Sequence, residues 1–258
     1  MTKTMKKTAT AAVQPIKPAA TVIIAREGAE GGTPEIFMLR RTSKAAFAGG
    51  MYVFPGGKVD ADDHLHKYDE HRRGPSDAQT LQQQALGPEW RGYWIAGIRE
   101  TFEEAGLLLA YTDAADLLSY NPDNEHRYET YRHQIHSGEL SLFELCRRES
   151  LNLAVDRIHY VNRFVTPAGR PRRFDTRFFL AVAPPEQVGL HDDKETVEST
   201  WISASEALTR HAAQEFDLMV VTRMQLEMLA EHRTLDALVD WAQANLTFPV
   251  YRPAVPRN

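Results

Sequence analysis

Hydrophobic and polar positions follow two rhythms along this chain, and they divide it into strand-rich and helix-rich stretches. Residues 20–26 (ATVIIAR) form a short apolar run, the pattern of a strand buried on both faces. Gly28 and the cluster Gly31-Gly32-Thr33-Pro34 predict a turn, and residues 35–41 (EIFMLRR) a second strand that completes a hairpin. Residues 42–57 hold Gly49, Gly50, Pro55, Gly56 and Gly57, so they predict loop around a short strand at 51–54. Residues 60–91 are polar, rich in His, Asp, Gln and Arg, and broken by Gly74-Pro75 and Gly87-Pro88. They predict an inserted surface loop with one helix at 77–85. The strongest helical pattern covers 93–105, and several short helices are predicted over 113–153. Residues 157–166 and 173–183 are β-rich on either side of the turn PAGRP, and 197–202 predicts another strand. Helices follow at 203–213, 217–231 and 234–244, then a Pro-rich tail at 247–258.

The helix at 93–105 concentrates the chemistry. On a wheel of ~100° per residue, Trp94, Ile95, Ile98, Phe102 and Ala105 form one apolar stripe. Glu100, Glu103 and Glu104 face the opposite way, with Arg99 at their margin, and Gly106 stands where a left-handed cap would end the helix. An acidic run of this kind is ordinarily a solvated face. Two features argue otherwise. Like charges at these spacings cost about a few tenths of a kcal/mol each, and the basic residues that usually offset them are missing apart from Arg99. Three hard oxygen donors on adjacent turns also make a seat suited to Mg²⁺ or Mn²⁺. Upstream lies Phe54-Pro55-Gly56-Gly57, whose glycines allow a backbone to come close to another element or a ligand.

Composition narrows the function classes. The length of 258 residues, with 43% hydrophobic and 25% charged side chains, fits one or two ordinary globular domains. A net charge of −5 argues against a partner bound through nucleic-acid phosphates, while leaving room for a local nucleotide site. A single cysteine, Cys146, excludes an internal disulfide and a cysteine-based zinc cluster; it predicts a small buried hydrophobe and fits a reducing, cytoplasmic setting. Residues 1–18 carry Lys3, Lys6, Lys7 and Lys17 without an apolar core, so they predict a solvated, disordered tail and no secretory signal. Apolar runs such as 178–183 fall far short of the ~20 residues that span a bilayer.

At the acidic helix the sequence resembles the Nudix hydrolases. Their signature is Gly, five residues, Glu, seven residues, Arg-Glu-aliphatic, one residue, Glu-Glu, one residue, Gly and an aliphatic. Arg99-Glu100-Thr101-Phe102-Glu103-Glu104-Ala105-Gly106-Leu107 matches the second half, with Thr101 in place of the aliphatic. The first half begins at Gly57. Five residues on, Asp63 stands where the family has its first Glu; counting back eight from Arg99 gives Arg91 instead. Asp63 and Arg99 are 36 positions apart where the family has 8, so about 28 residues are inserted. Asp63 is either a functional stand-in or, with Asp60 and Asp62, part of a turn.

Such a split box is similar to a subgroup of peroxisomal coenzyme A diphosphatases. Arg41, Gly50 and the 54–57 block fit half of a motif that precedes the box in related enzymes, with Ala46 where a second Arg is usual and Lys44 nearby. Residues 166–179 and 195–201 (ETVESTW) also resemble the subgroup. The resemblance implies an α/β fold, the Nudix α/β/α sandwich with a mixed β-sheet. A Nudix domain at 19–213 would carry the insertion at about 64–90, and a helical C-terminal extension, 214–258, would pack on the same domain. It implies Mg²⁺ or Mn²⁺ on Glu100, Glu103 and Glu104, with Arg99 orienting a glutamate, and Glu100 either ligand or general base. Substrate contacts are expected from Arg41, Gly56, Gly57 and Arg173, although Arg170, Arg172 and Arg173 also read as a solvated basic turn. Glu195 or Glu198 is a candidate for completing the site. His64, His66 and His71 with Asp69 and Glu70 read as a surface cluster ahead of a second metal site. The implied partner is a small nucleotide-type molecule, with no nucleic acid or membrane, and the chain as monomer or homodimer. The implied reaction is hydrolysis of the diphosphate in coenzyme A or an acyl derivative. ADP-ribose, a dinucleotide, or metabolite binding without catalysis are the alternatives.

Overall fold

β1 (Ile16–Arg26) is the axis of the structure, and its two faces explain the layers on either side. The computed structural model describes residues 14–29, 32–45 and 48–253. Along β1, Ala20, Val22 and Ile24 face one apolar cluster while Ile23 and Ala25 face another. Burial on both faces is what an uninterrupted apolar run requires. β1 starts at Ile16, so residues 16–18 belong to the sheet and not to a disordered tail; residues 14–15 lead into it, and the part of that expectation that falls on residues 1–13 lies outside the described residues.

β2 (Glu35–Arg41) pairs with β1 only at the hairpin tip, Ala25 opposite Ile36 and Arg26 opposite Glu35. β3 (Tyr52–Val53) pairs with β2, and β4 (Gly56–Lys58) takes over the edge of β1, with Ala20 opposite Gly57. The glycine stretch read as loop is therefore partly strand. Opening of the hairpin makes room for it.

The insertion is not the polar surface loop its composition suggests. Tyr68 is fully buried and meets the Phe143 ring edge-on at 5.8 Å. β5 (Arg72–Arg73) joins a second sheet, and α1 (Thr80–Leu86) sits where one helix was expected. The polar residues here satisfy buried backbone groups. Gln79 donates to the carbonyls of Val155 (2.9 Å) and Ile158 (3.0 Å), and Gln82 accepts from the Tyr160 amide (2.6 Å). Buried polar groups need such partners, and composition alone cannot distinguish this use from solvation.

α2 (Trp90–Ala105) lies across the sheet. Trp94, Ile95, Ile98, Phe102 and Ala105 are buried as the wheel predicts, and Gly106 ends the helix at φ +70°. After β6 (Ala110–Tyr111) come α3 (Glu125–Ser137) and α4 (Leu142–Glu149), on which Cys146 is buried and its thiol pushed up to about 12. β7 (Asn152–Ala154) bridges β5 and β6.

β8 (Ile158–Val165) and β9 (Arg173–Val182), the two stretches expected to be β-rich, pair antiparallel as a hairpin, and β9 runs parallel to β1 from Ile16–Arg173 to Ala25–Val182. β10 (Thr196–Ser203) pairs with β2 and leads into α5 (Ala204–Ala212). α6 (Val220–Leu229) and α7 (Leu235–Ala244) follow, and β11 (Val250–Tyr251) adds to β8 within the segment read as tail.

Among the described residues the main sheet has the order β10-β2-β1-β9-β8-β11, with β3 and β4 on its β2 and β1 edges. α2 covers one face. Residues of α5, α6 and α7, including Ala207, Leu226, Leu229 and Leu238, pack with the other. This is the expected α/β/α sandwich. No helix among the described residues is long and apolar enough to cross a membrane.

Candidate active site

The acidic face of α2 lies under β4, and the two glycines of β4 set how closely. Gly56 donates its backbone N–H to Glu104 Oε2 at 2.9 Å. At Gly57 a Cβ would stand 2.5 Å from the Glu100 carboxyl carbon, so the Glu100 head group fits only because no side chain is there. The face is thus covered, not solvated: Glu104 is 6% exposed.

Arg99 joins the cluster. Its Nε and Nη2 make a paired contact with Asp63, at 3.0 Å to Oδ1 and 2.9 Å to Oδ2. Nη1 donates to Glu100 Oε1 and Glu103 Oε1, both at 2.9 Å, and Nη2 also reaches the Lys58 carbonyl at 2.8 Å. Asp63 is fully buried in a 3₁₀ turn (Asp62–His64), where its carboxylate also accepts from the Asp60 amide at 2.8 Å. The turn reading of Asp63 holds, and the turn delivers its carboxylate to Arg99 across the insertion.

Charge in this cluster is unbalanced. Burial pushes Glu100 up to about 7 against the pull of Arg99, and Glu103 adds repulsion. Burial and then the Glu100 charge raise Glu104 well above the usual carboxylate range, against the Gly56 amide and Arg41. Burial alone would weaken the Arg99 charge, but Asp63, Glu100 and Glu103 outweigh it and hold the guanidinium protonated.

Arg41 and Glu195 lie beside this cluster. Arg41 Nη2 pairs with Glu195 at 3.1 Å, and its buried Nε has no hydrogen-bond partner. Both residues act electrostatically on Glu104. Glu198 is engaged elsewhere, with Arg40 (3.3 Å) and the Tyr52 hydroxyl (2.9 Å).

Other sequence candidates are not brought here. Arg173 donates to the carbonyls of Thr166 and Pro167, both at 3.2 Å, and closes the β8–β9 turn. It sits four residues along β9 from Arg177, which pairs with Ala20 beside Gly57, so roughly 13 Å of strand separates the two levels. Arg170 and Arg172 are exposed. Among the histidines, His64 packs its ring on Gly92, and His66 bonds Asp69, whose carboxylate also accepts from Arg72 and Arg91. Among the described residues no three His, Cys, Asp or Glu side chains close on a common point in metal-holding geometry; Glu100 and Glu103 instead each spend one oxygen on Arg99.

α3 contributes groups that the sequence did not single out. Arg132 donates to the carbonyls of Glu103 (2.9 Å), Glu104 (2.8 Å) and Leu190 (2.9 Å), closing the C-terminus of α2. His136, one turn on, faces Glu103. The signal was the i, i+4 repeat Tyr128, Arg132, His136 on an otherwise polar helix, obscured because its members are polar.

The family model described as the NUDT19 Nudix domain matches residues 69–222, more than half of the chain. The chain belongs to this Nudix family. The match starts beyond Gly57 and Asp63 and does not cover those two positions. The acyl-coenzyme A diphosphatase NUDT19 of Xenopus laevis is 23% identical over 240 residues, covering 74% of this chain and 63% of that protein. Its counterpart in Gallus gallus is 27% identical, covering 79% and 63%. The chain thus spans just under two thirds of the length of these relatives. A crystal structure of a Nudix hydrolase from Alicyclobacillus acidocaldarius superposes with a TM-score of 0.68 at 25% identity, over 88% of this chain and 96% of that one.

Proposed function

We propose that this Nudix domain hydrolyses the diphosphate linkage of a nucleoside diphosphate derivative with a divalent cation, and that coenzyme A or an acyl-coenzyme A is the favoured substrate. The observation that carries the reading is the covered cluster in which Arg99 holds Asp63, Glu100 and Glu103, with Glu104 buried beside Glu100. Asp63, Glu100 and Glu103 share one guanidinium, Glu104 is held by the Gly56 amide, and burial already disfavours the ionised forms of Glu100 and Glu104. An all-oxygen donor set short of positive charge fits Mg²⁺ or Mn²⁺, with Glu100, Glu103 and Glu104 as the residues to hold it. When bound, the ion neutralises diphosphate oxygens and lowers the pKa of a water molecule.

The chain's own residues orient and complete the site. Asp63 fixes the Arg99 fork, and Arg99 in turn sets one oxygen of Glu100 and one of Glu103. Gly56 fixes Glu104. Arg41, with its unpartnered Nε, has a donor free for a substrate phosphate. Glu195, held by Arg41, is the carboxylate outside α2 best placed to accept a proton from the attacking water. Support for coenzyme A comes from the diphosphatase relatives and from Arg41 and Gly50, the matching half of the motif upstream of the box.

A panel of coenzyme A, acetyl-coenzyme A, ADP-ribose and a diadenosine polyphosphate, assayed with Mg²⁺, Mn²⁺ or EDTA, tests this. The expected result is metal-dependent release of 3′,5′-ADP, with the highest kcat/KM for a coenzyme A species. Glu104→Gln should lower turnover at least ~100-fold. Preference for ADP-ribose would move the assignment to that substrate, and tight binding without turnover would make the chain a metabolite-binding protein.

A further inference from the structure

Glu103 is met from two sides. Arg99 Nη1 donates to Oε1 at 2.9 Å, and from the facing helix α3 His136 directs Nδ1 toward Oε2 at 3.7 Å. That Nδ1 is buried and has no hydrogen-bond partner. A polar atom withdrawn from water without a partner is costly, and Glu103 Oε2 is the charged acceptor it faces. One turn earlier on α3, Arg132 holds the Glu103 and Glu104 carbonyls. α3 therefore fixes the backbone of Glu103 and addresses one of its side-chain oxygens. We propose that His136 is a positioning residue, its Nδ1–H orienting the Glu103 carboxylate as a cation ligand. This rests on Glu103 being a metal ligand, as proposed above. Carboxylate ligands depend on such outer partners, whose removal typically weakens metal affinity ~10–100-fold.

The test is Mn²⁺ binding to the full chain without substrate, followed through the free-ion EPR signal. His136→Asn keeps an amide N–H close to the position of Nδ1, whereas His136→Gln moves it out toward the position of Nε2. The Gln variant should bind Mn²⁺ ~10-fold more weakly and the Asn variant within ~3-fold of wild type, both with unchanged Tm. Wild-type affinity in the Gln variant overturns the assignment. So does equal impairment of both variants, or a loss of affinity that tracks a fall in Tm. Glu103→Gln, measured alongside, separates the two readings. If it binds Mn²⁺ as wild type does, Glu103 is not a ligand and the site reading fails. If it weakens binding while His136→Gln does not, only the role of His136 falls.

Discussion

Gly56 and Gly57 are neighbours with different obligations. A Cβ on Gly57 would meet the tip of Glu100, a flexible side chain that can swing aside. Gly57→Ala should therefore leave the melting temperature within a few degrees of wild type and lower turnover by ~10-fold or more. At Gly56, φ is +156° and a Cβ would stand 2.5 Å from the Ala20 carbonyl oxygen and 2.6 Å from the Thr21 Cα, both on β1. Gly56→Ala should cost about 1–3 kcal/mol, read by urea denaturation, because backbone has to move. The reverse pattern would show that the glycines serve the sheet and not the carboxylates. Glu100 itself carries a pH signature. Its rise from 4.5 to about 7, caused first by burial, means that the folded chain keeps a proton which the unfolded chain releases. That share of stability is present below pH 4.5 and is lost as pH climbs through 7. In EDTA, Glu100→Gln should gain stability relative to wild type between pH 4.5 and 8, by up to roughly 3 kcal/mol. Burial holds His159 neutral down to about 4 and works in the opposite sense over an overlapping interval, but it is common to both proteins and drops out of the difference. A difference that does not change with pH would refute the assigned shift.

At the level of elements, α2 was the most legible part of the chain. Its stripe, its acidic face and its glycine stop follow from a period and a cap, which are local properties. β4 was not legible, because Gly-Gly-Lys carries no strand signal and is strand only through its partner β1. The link from Asp63 to Arg99 was open in sequence because 36 positions intervene, and only the fold brings them together. The insertion was misread for a different reason: Gln79 and Gln82 look solvated and are in fact bonded to buried backbone. Consequently, replacing residues 65–88 with a short Gly/Ser linker should abolish cooperative unfolding, since Tyr68, Gln79, Gln82 and Leu86 leave the core together. Tyr68→Ala alone should cost about 3–5 kcal/mol in chemical denaturation, the range for large aromatic truncations. A linker variant that melts like wild type would return the insertion to the status of a surface loop.

The whole molecule depends on the helices near its C-terminus. α6 and α7 close the face of the sheet opposite the carboxylates, with Leu226, Leu229, Leu238 and Ala242 buried in the cluster that includes Ile23, Ile36 and Met38. Asn162 and Gln225 bond reciprocally between β8 and α6, at 2.8 and 3.1 Å. A chain ending at residue 213 should lack near-UV circular dichroism and a thermal transition, because one side of the sheet would face water. Leu226→Ala in the full chain should cost about 2–5 kcal/mol and leave kcat unchanged, since it lies on the face away from the site. Loss of kcat without loss of stability would show that the two faces communicate.

Cys146 offers a way to watch this molecule open. Its thiol is the chain's single sulfhydryl, fully enclosed on α4, with the Tyr68 phenol of the insertion close enough to sense its charge. Held up to about 12, it contributes almost no thiolate at neutral pH, and no reagent can reach it in the closed form. Alkylation therefore keeps time for the seam between α4 and the insertion, marking each molecule the first time that seam parts. Labelling faster than global unfolding would reveal that the seam opens independently, while α2 stays packed on the sheet.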